Sequence, residues 1–299
     1  MYAYMDRLDR EDLEPFERST YSRQHIELVR AHVVDLDAAN GVLTLDDGST
    51  ISFDKVLLAV GAKPRLLAWP GVQELEEGLV HFVSMQDLEQ CERLTWSTEG
   101  AVVIGGGLVG IELVECLVHH GIRTTFLVRE PWFWPIALGK EEGEIVSAHI
   151  RSHGVDLRHQ EEMVTAHADA NGRVCAVETD KGERIECQML GIAVGVVANA
   201  HWLRETTTPV AVDRGIKVDA SFRTSLPNVW AAGDCAEIDI GGEFPLIETI
   251  WYSAKLHGRL AAASMLGDPV SYQPPLFYNS SKFMDLEYTT VGSVIDCGA

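Results

Sequence analysis

The run Ala101-Val-Val-Ile-Gly105-Gly106-Gly107-Leu108-Val109-Gly110-Ile111-Glu112 constrains the fold more than any other stretch of the chain. Four apolar residues suited to a buried strand lead into glycines spaced G-x-G-x-x-G. An amphipathic segment, Ile111 to His120, follows at helical periodicity. Gly121 stands where a helix stop is expected, and Thr124 to Val128 reads as the next strand. Strand, crossover helix and strand in that order call for a parallel sheet covered by helices. Each glycine has a physical reason here. Gly105 permits the tight turn, Gly107 lets the backbone approach a pyrophosphate, and Gly110 lets helix and strand pack closely. The N-terminus of the helix that follows offers free N–H groups and a positive dipole end to phosphates. A glycine-rich turn can exist without a ligand, but with both strands and the helix in place a dinucleotide-binding unit is favoured.

The same alternation runs through the rest of the chain. Ile26 to Val34, Gly41 to Leu45 and Thr50 to Phe53 are strand-like, and Asp46-Asp47-Gly48 reads as a hairpin turn. Val56 to Val60 suits a strand buried on both faces, stopped by Gly61 and Pro64, and Met85 to Trp96 is helical. Lys140 to His153 is a further helix, ended by Gly154, before a strand at Val155 to Leu157. Turns at Asn171-Gly172 and Lys181-Gly182 divide Met163 to Glu186 into three strands. Met189 to Val194 is a buried strand ending at Gly195. Short strands at Ile216 to Val218 and Val229 to Ala231 precede a long helix over Glu248 to Leu266. The expected class is α/β with parallel sheets, and 299 residues suggest about two domains.

Composition narrows the function classes. Acidic residues outnumber basic ones 45 to 24, a net charge of -21, and no basic patch stands out, so nucleic acid is excluded as a partner. No apolar run reaches the roughly 18 to 20 residues of a membrane span. Met1 to Arg10 carries four charges and no apolar core, unlike a signal peptide. Cys91, Cys116, Cys175, Cys187, Cys235 and Cys297 show neither C-x-x-C nor metal-ligand spacing and read as small buried thiols. A cytoplasmic protein is the expectation.

Several residues carry candidate chemistry. After the second strand of the fingerprint unit come Arg129 and Glu130. An acidic residue there accepts from the 2′-hydroxyl of NADH, whereas an arginine meets the 2′-phosphate of NADPH. Which side chain faces the ribose depends on a one-residue register; Arg129 favours NADPH, with NADH the alternative. Two further strands end at a glycine: Leu57-Leu58-Ala59-Val60-Gly61-Ala62-Lys63-Pro64-Arg65 and Trp230-Ala231-Ala232-Gly233-Asp234-Cys235. Asp234 stands where a ribose or ribityl hydroxyl could donate to it, although either run could be an ordinary strand-to-loop transition. His149 and His153 lie i, i+4 on one helix face, but no third metal ligand is placed, so a solvated face is the reading and no metal is assigned. Trp132-Phe133-Trp134-Pro135 could line the adenine end of a site or pack under the sheet, and packing is favoured.

The order A-x-G-x-x-P, G-x-G-x-x-G-x-E, a strand ending at Gly195, and A-A-G-D before a long helix resembles the pyridine-nucleotide/FAD oxidoreductases. Within that superfamily the chain is most similar to the rubredoxin-reductase and ferredoxin-reductase branch, which includes the flavoprotein part of nitrite reductase large subunits. The stretch from Glu248 to Gly267 carries that likeness. The resemblance implies two interleaved Rossmann-like units with three-layer sheets and the start of a C-terminal α+β interface domain. By it, 1–97 is the first part of an FAD-binding domain and 98–200 an NAD(P)-binding domain. The second FAD-binding part is 201–270, and 271–299 opens the interface domain. Gly105, Gly107, Leu108 and Gly110 would hold the nicotinamide cofactor's pyrophosphate, with Glu112 near the nicotinamide and Gly195 closing the site. Ala59, Gly61, Arg65, Gly233 and Asp234 would contact FAD, Val33 its adenine through the backbone, and Trp251 and Ala254 the flavin ring.

The chain departs from the family pattern at its start, where no first dinucleotide fingerprint precedes Val33, and at its end, where the interface domain is curtailed. A chain truncated at both ends is the expectation. The implied function is hydride transfer from NADPH or NADH to FAD. Electrons then pass to an unidentified acceptor: a small redox protein, quinone, disulfide or oxygen. No general acid or base is assigned, because the cofactors carry the chemistry. The alternative is a truncated NAD(P)-binding module without flavin turnover. The family also implies a homodimer for the full-length form.

Overall fold

A computed structural model describes residues 1–292; Cys297 and the last residues of the segment 271–299 lie outside the described residues. The chain divides into two units of non-contiguous segments. Unit 1 takes Met1–Pro15, Pro64–Gly195 and the segment from Leu276, and unit 2 takes Phe16–Lys63 and Val196–Pro275. The chain is mixed α/β with parallel sheets.

Unit 1 is built on five parallel strands in the order β6 (Leu79–Val80), β13 (Met189–Ile192), β7 (Gly100–Ile104), β8 (Arg123–Val128) and β9 (Asp156–His159). All five residues of the central strand β7 are buried, as a strand covered on both faces requires. Alternate side chains serve opposite layers. Ala101 and Val103 join a core with Ile111, Leu113 and Leu117 of α3 (Leu108–His119) and Val146 and Ile150 of α4 (Lys140–Ser152). Val102 and Ile104 join another with Met163, Val174 and Val177. Those last residues belong to an antiparallel sheet of β10 (Met163–Ala168), β11 (Val174–Thr179) and β12 (Arg184–Glu186). Helices, parallel sheet and antiparallel sheet thus make three layers.

Three segments that the family resemblance assigns to other domains pack in unit 1. Residues 64–97 include β6, which extends the parallel sheet beside β13, and α2 (Met85–Thr95), which buries Leu88, Cys91 and Leu94. Ala3, Tyr4 and Met5 enter the helix-side core, where the Tyr4 hydroxyl pairs with Oγ1 of Thr95 at 2.7 Å. The hairpin of β18 (Tyr278–Phe283) and β19 (Leu286–Val291) buries Phe283 and Met284 in the same core.

Unit 2 begins with α1 (Arg18–Arg23) and an antiparallel sheet of β1 (Val33–Asp37), β2 (Val42–Leu45) and β3 (Thr50–Ser52). The strand expected over Ile26 to Val34 starts only at Val33. Ile26, Leu28 and Val29 are exposed and pair with no strand among the described residues. β4 (Val56–Leu58) and β16 (Val229–Ala231) form one parallel pair, and β15 (Ile216–Asp219) and β17 (Ala236–Asp239) another. The chain leaves unit 2 along β5 (Ala62–Pro64) and re-enters on β14 (Val196–Ala198). α5 (Trp251–Leu266) ends at Gly267, whose φ of 96° is the left-handed stop that glycine supplies without strain. The indole of Trp230 donates to Oγ of Ser264 at 3.1 Å, tying β16 to α5 inside a core with Leu36, Leu58, Phe222 and Tyr272.

Candidate functional site

In unit 1 the carboxyl ends of β7 and β8 open into a cleft of about 490 Å³, a volume suited to a cofactor-sized ligand. Gly105 and Gly107 line it and Gly110 is buried behind them in α3, and each glycine serves in a different way. At Gly105, φ is +112° and a Cβ would lie 2.2 Å from the carbonyl oxygen of Ala193, so only glycine fits. At Gly110 a Cβ would lie 2.0 Å from the oxygen of Gly105, which is the close helix–strand approach itself. At Gly107 a Cβ would meet nothing within 4 Å. That open position is the N-cap of α3 and has no side-chain capping bond, so the first-turn N–H groups of Leu108, Val109 and Gly110 are left for an anion. The cradle fits a pyrophosphate.

Arg129 and Glu130 both line this cleft, just beyond β8. Nε of Arg129 donates to Oε1 of Glu130 at 2.9 Å, and that bond raises the guanidinium's proton affinity. The Arg129 side chain is 71% exposed and that of Glu130 29%, so the carboxylate sits deeper. Gly195 also lines the cleft, and its carbonyl accepts from the backbone N–H of Arg65 at 3.0 Å. Glu112 is half-buried on α3 and is not part of the lining. Burial pushes its carboxyl above the ordinary range and Glu115 adds to the push, while the N-terminal amine opposes it.

Unit 2 holds a second, smaller groove of about 270 Å³, lined by Leu57, Ala59, Gly61, Ala232, Gly233, Asp234, Ala254 and Gly258. Most of these are small, so the backbone forms the floor. Gly61 and Gly233 adopt φ of 64° and 79°, turning the chain sharply at the ends of β4 and β16. Burial raises the Asp234 carboxyl, while its own backbone N–H and nearby His257 act the other way. A hydroxyl donor would satisfy that half-buried carboxylate, so the groove fits the polyol chain of a flavin dinucleotide. Beneath it, Glu248 accepts from Ser253 Oγ (2.9 Å) and Tyr272 OH (2.6 Å) and lies 3.3 Å from Nε2 of the fully buried His257.

The sequence-derived residues therefore fall into two sets. Gly105, Gly107, Arg129, Glu130 and Gly195 meet in unit 1, and Ala59, Gly61, Gly233, Asp234 and Ala254 meet in unit 2. Arg65, expected against FAD, lines the unit 1 cleft. Val33 starts β1 and lines neither groove. Trp251 is an exposed first residue of α5, with the Lys255 ammonium 5.0 Å from its ring. Sequence reading missed Leu67, Trp69 and Glu161 to Met163 in the cleft wall, since no local signal marks them. In the Trp132–Pro135 run Phe133 lies in the core and Trp134 packs against it, as favoured, while Trp134 and Pro135 also line the cleft. Trp134 adopts φ 55° and is held edge-on by Phe283 and Tyr288 at 5.8 and 5.6 Å.

Known proteins share this fold. A solved ferredoxin reductase from Rhodopseudomonas palustris superposes with a TM-score of 0.87 at 23% identity, over 97% of this chain and 71% of that one. The covalent putidaredoxin reductase–putidaredoxin complex gives 0.85 at 22% identity, over 98% of this chain and 70% of that one. Among curated proteins, rubredoxin-NAD(+) reductase of Pseudomonas putida is 27% identical over 90% of this chain and 69% of its own length. Rhodocoxin reductase of Rhodococcus erythropolis is 31% identical over 84% and 58%. Residues 5–259 match the family described as pyridine nucleotide-disulphide oxidoreductase, whose members use FAD and NAD(P)H. The fingerprint at the mouth of β7, the two grooves and a match over most of the chain agree: this is an oxidoreductase belonging to the pyridine nucleotide-disulphide oxidoreductase family.

Proposed function

We propose that the chain takes hydride from NADPH or NADH onto FAD and passes the electrons to a small redox protein. The observation that carries this reading is the uncapped N-terminus of α3, with Gly107 open to the cleft and Arg129 and Glu130 at its rim. FAD, when bound, supplies the hydride acceptor and the exit for electrons to a one-electron partner. The protein's own part is binding and orientation. The N–H groups of Leu108 to Gly110 bind the pyrophosphate of the nicotinamide nucleotide, and Gly107 lets it come close. Arg129 engages Glu130 through Nε only, and its two outer amino groups have no hydrogen-bond partner among the described residues. They suit a 2′-phosphate, which favours NADPH, whereas the relatives named above include an NAD(+) reductase. In unit 2, Asp234 accepts from the ribityl chain and Gly61 and Gly233 allow the flavin's close approach. The redox-protein acceptor rests on the names of the relatives, a rubredoxin reductase and a putidaredoxin reductase caught with its partner.

The test is a visible spectrum of the chain loaded with FAD and freed of excess, then titrated anaerobically with NADPH and separately with NADH. A retained flavin band that bleaches with one of them is the expected result and names the donor. A colourless protein that still binds nucleotide would overturn the reading.

A further inference from the structure

The turn of the β18–β19 hairpin meets α4 at His149, His153 and Asp285, and one donor atom from each lies within 4.8 Å of the others. We propose that these three side chains form a binding site for a divalent transition metal of the zinc class. The metal would pin the hairpin turn to α4.

Both imidazoles stand on one face of the helix, four residues apart, with ring centroids 4.7 Å from each other. Nδ1 of His153 is 3.0 Å from the backbone oxygen of His149, so that nitrogen carries the proton and donates to the carbonyl. Nε2 then presents its lone pair, the usual orientation of a metal-binding histidine. Nε2 of His149 is buried and makes no hydrogen bond, although Oδ1 of Asp285 is only 2.6 Å away. The contact is close but off the hydrogen-bonding direction, so a proton on Nε2 would be poorly shared. A cation seated between the donors satisfies both atoms. The same Oδ1 lies 3.3 Å from Nε2 of His153.

Donors in a tetrahedral zinc shell, with bonds of roughly 2.0 to 2.1 Å, are about 3.3 Å apart. The two separations from Oδ1 of Asp285, 2.6 and 3.3 Å, come within about an ångström of that, and Asp285, whose side chain is 76% exposed, is free to make the adjustment, while all three donors lie within 4.8 Å of one another. The turn beneath it is fixed, since Phe283 and Met284 are both buried. Two imidazoles and one carboxylate favour zinc, copper, nickel or cobalt over calcium or magnesium. A fourth position is left for water.

Calorimetric titration of the chelator-treated full chain with zinc chloride tests this. The expected result is one saturable site, at least tenfold weaker in each of His149→Ala, His153→Ala and Asp285→Asn, and unchanged in His119→Ala on the surface of α3. Cobalt bound at that site should show the intense visible bands of tetrahedral coordination, absent in Asp285→Asn. Zinc should raise the melting temperature of the unaltered chain but not of Asp285→Asn, which is exposed enough to fold normally. No saturable binding, or equal affinity in Asp285→Asn, would overturn the assignment.

Discussion

At Gly107 the backbone is extended, with φ -98° and ψ -176°, a conformation open to any residue. Gly107→Ala should therefore keep its melting temperature and lose nucleotide affinity by tenfold or more, as fluorescence titration with NADPH or NADH would show. Gly110→Ala forces a Cβ onto the Gly105 carbonyl and should cost ~3 kcal/mol of stability. Equal melting temperatures for the two variants would contradict this division of labour. Glu248 offers a pH prediction. Its bond with His257 is the largest cause that holds the carboxyl down to about 2, with Tyr272 and Ser253 helping and burial opposing. A depressed carboxyl stabilises the fold above its unfolded value and loses that contribution as pH falls toward the folded one. Glu248→Gln should thus lower stability at pH 7 by on the order of 2 to 3 kcal/mol and flatten the acid limb between about 4.5 and 2. Urea unfolding at several pH values measures both. The fingerprint was legible because its glycines recur at a fixed short spacing between a strand and a helix, although the oxygen that a Cβ at Gly105 would strike belongs to distant Ala193. Glu248 was read only as the start of a helix, because its partners come from three positions up to 24 residues away.

Among elements, the β18–β19 hairpin depends on a half-buried ion pair. Nζ of Lys282 donates to Oε1 of Glu115 on α3 at 2.6 Å, and Oε2 of Glu115 is buried without a partner. Lys282→Met leaves that carboxylate uncompensated and should cost about 3 kcal/mol. The double variant with Glu115→Gln should recover part of it. Chemical denaturation of both, as a double-mutant cycle, checks the coupling. α2 has a reciprocal cap in which Ser84 Oγ accepts from the Asp87 N–H at 3.1 Å and Asp87 Oδ2 from the Ser84 N–H at 2.9 Å. Ser84→Ala should cost about 1 kcal/mol in the same assay. Periodicity located this helix and α4 to within a residue, because each buries one stripe, whereas α3 begins at Leu108, three residues before the expected Ile111. It failed at Ile26, where apolar residues are not covered, and at β17, whose four residues Ala-Glu-Ile-Asp are too short a run to stand out.

For the whole molecule, the two grooves lie in separate units. Asp234→Asn should weaken FAD retention at least tenfold while leaving the thermal stabilisation by NADPH or NADH unchanged, and loss of both together would speak against two independent sites. The net charge of -21 bears on the partner. A basic redox protein should associate faster at low salt and an acidic one more slowly, which stopped-flow rates against ionic strength would distinguish. Among the described residues no helix is long and apolar enough to cross a membrane.

The sequence by itself determined the features that short-range rules dictate: the parallel α/β class, the strand–glycine–helix cradle and the cluster of small residues and Asp234 at a second strand end. Those features need only neighbours within a few positions, so their pattern is written locally. Tertiary structure decided the features that depend on distant segments meeting. It brought Arg65 and Trp134 into the nucleotide cleft, seated Tyr4 against α2, and set Asp285 beside His149 and His153. Apart from the recruitment of Trp134, each of these joins segments that lie far apart along the chain, and no spacing rule reaches that far.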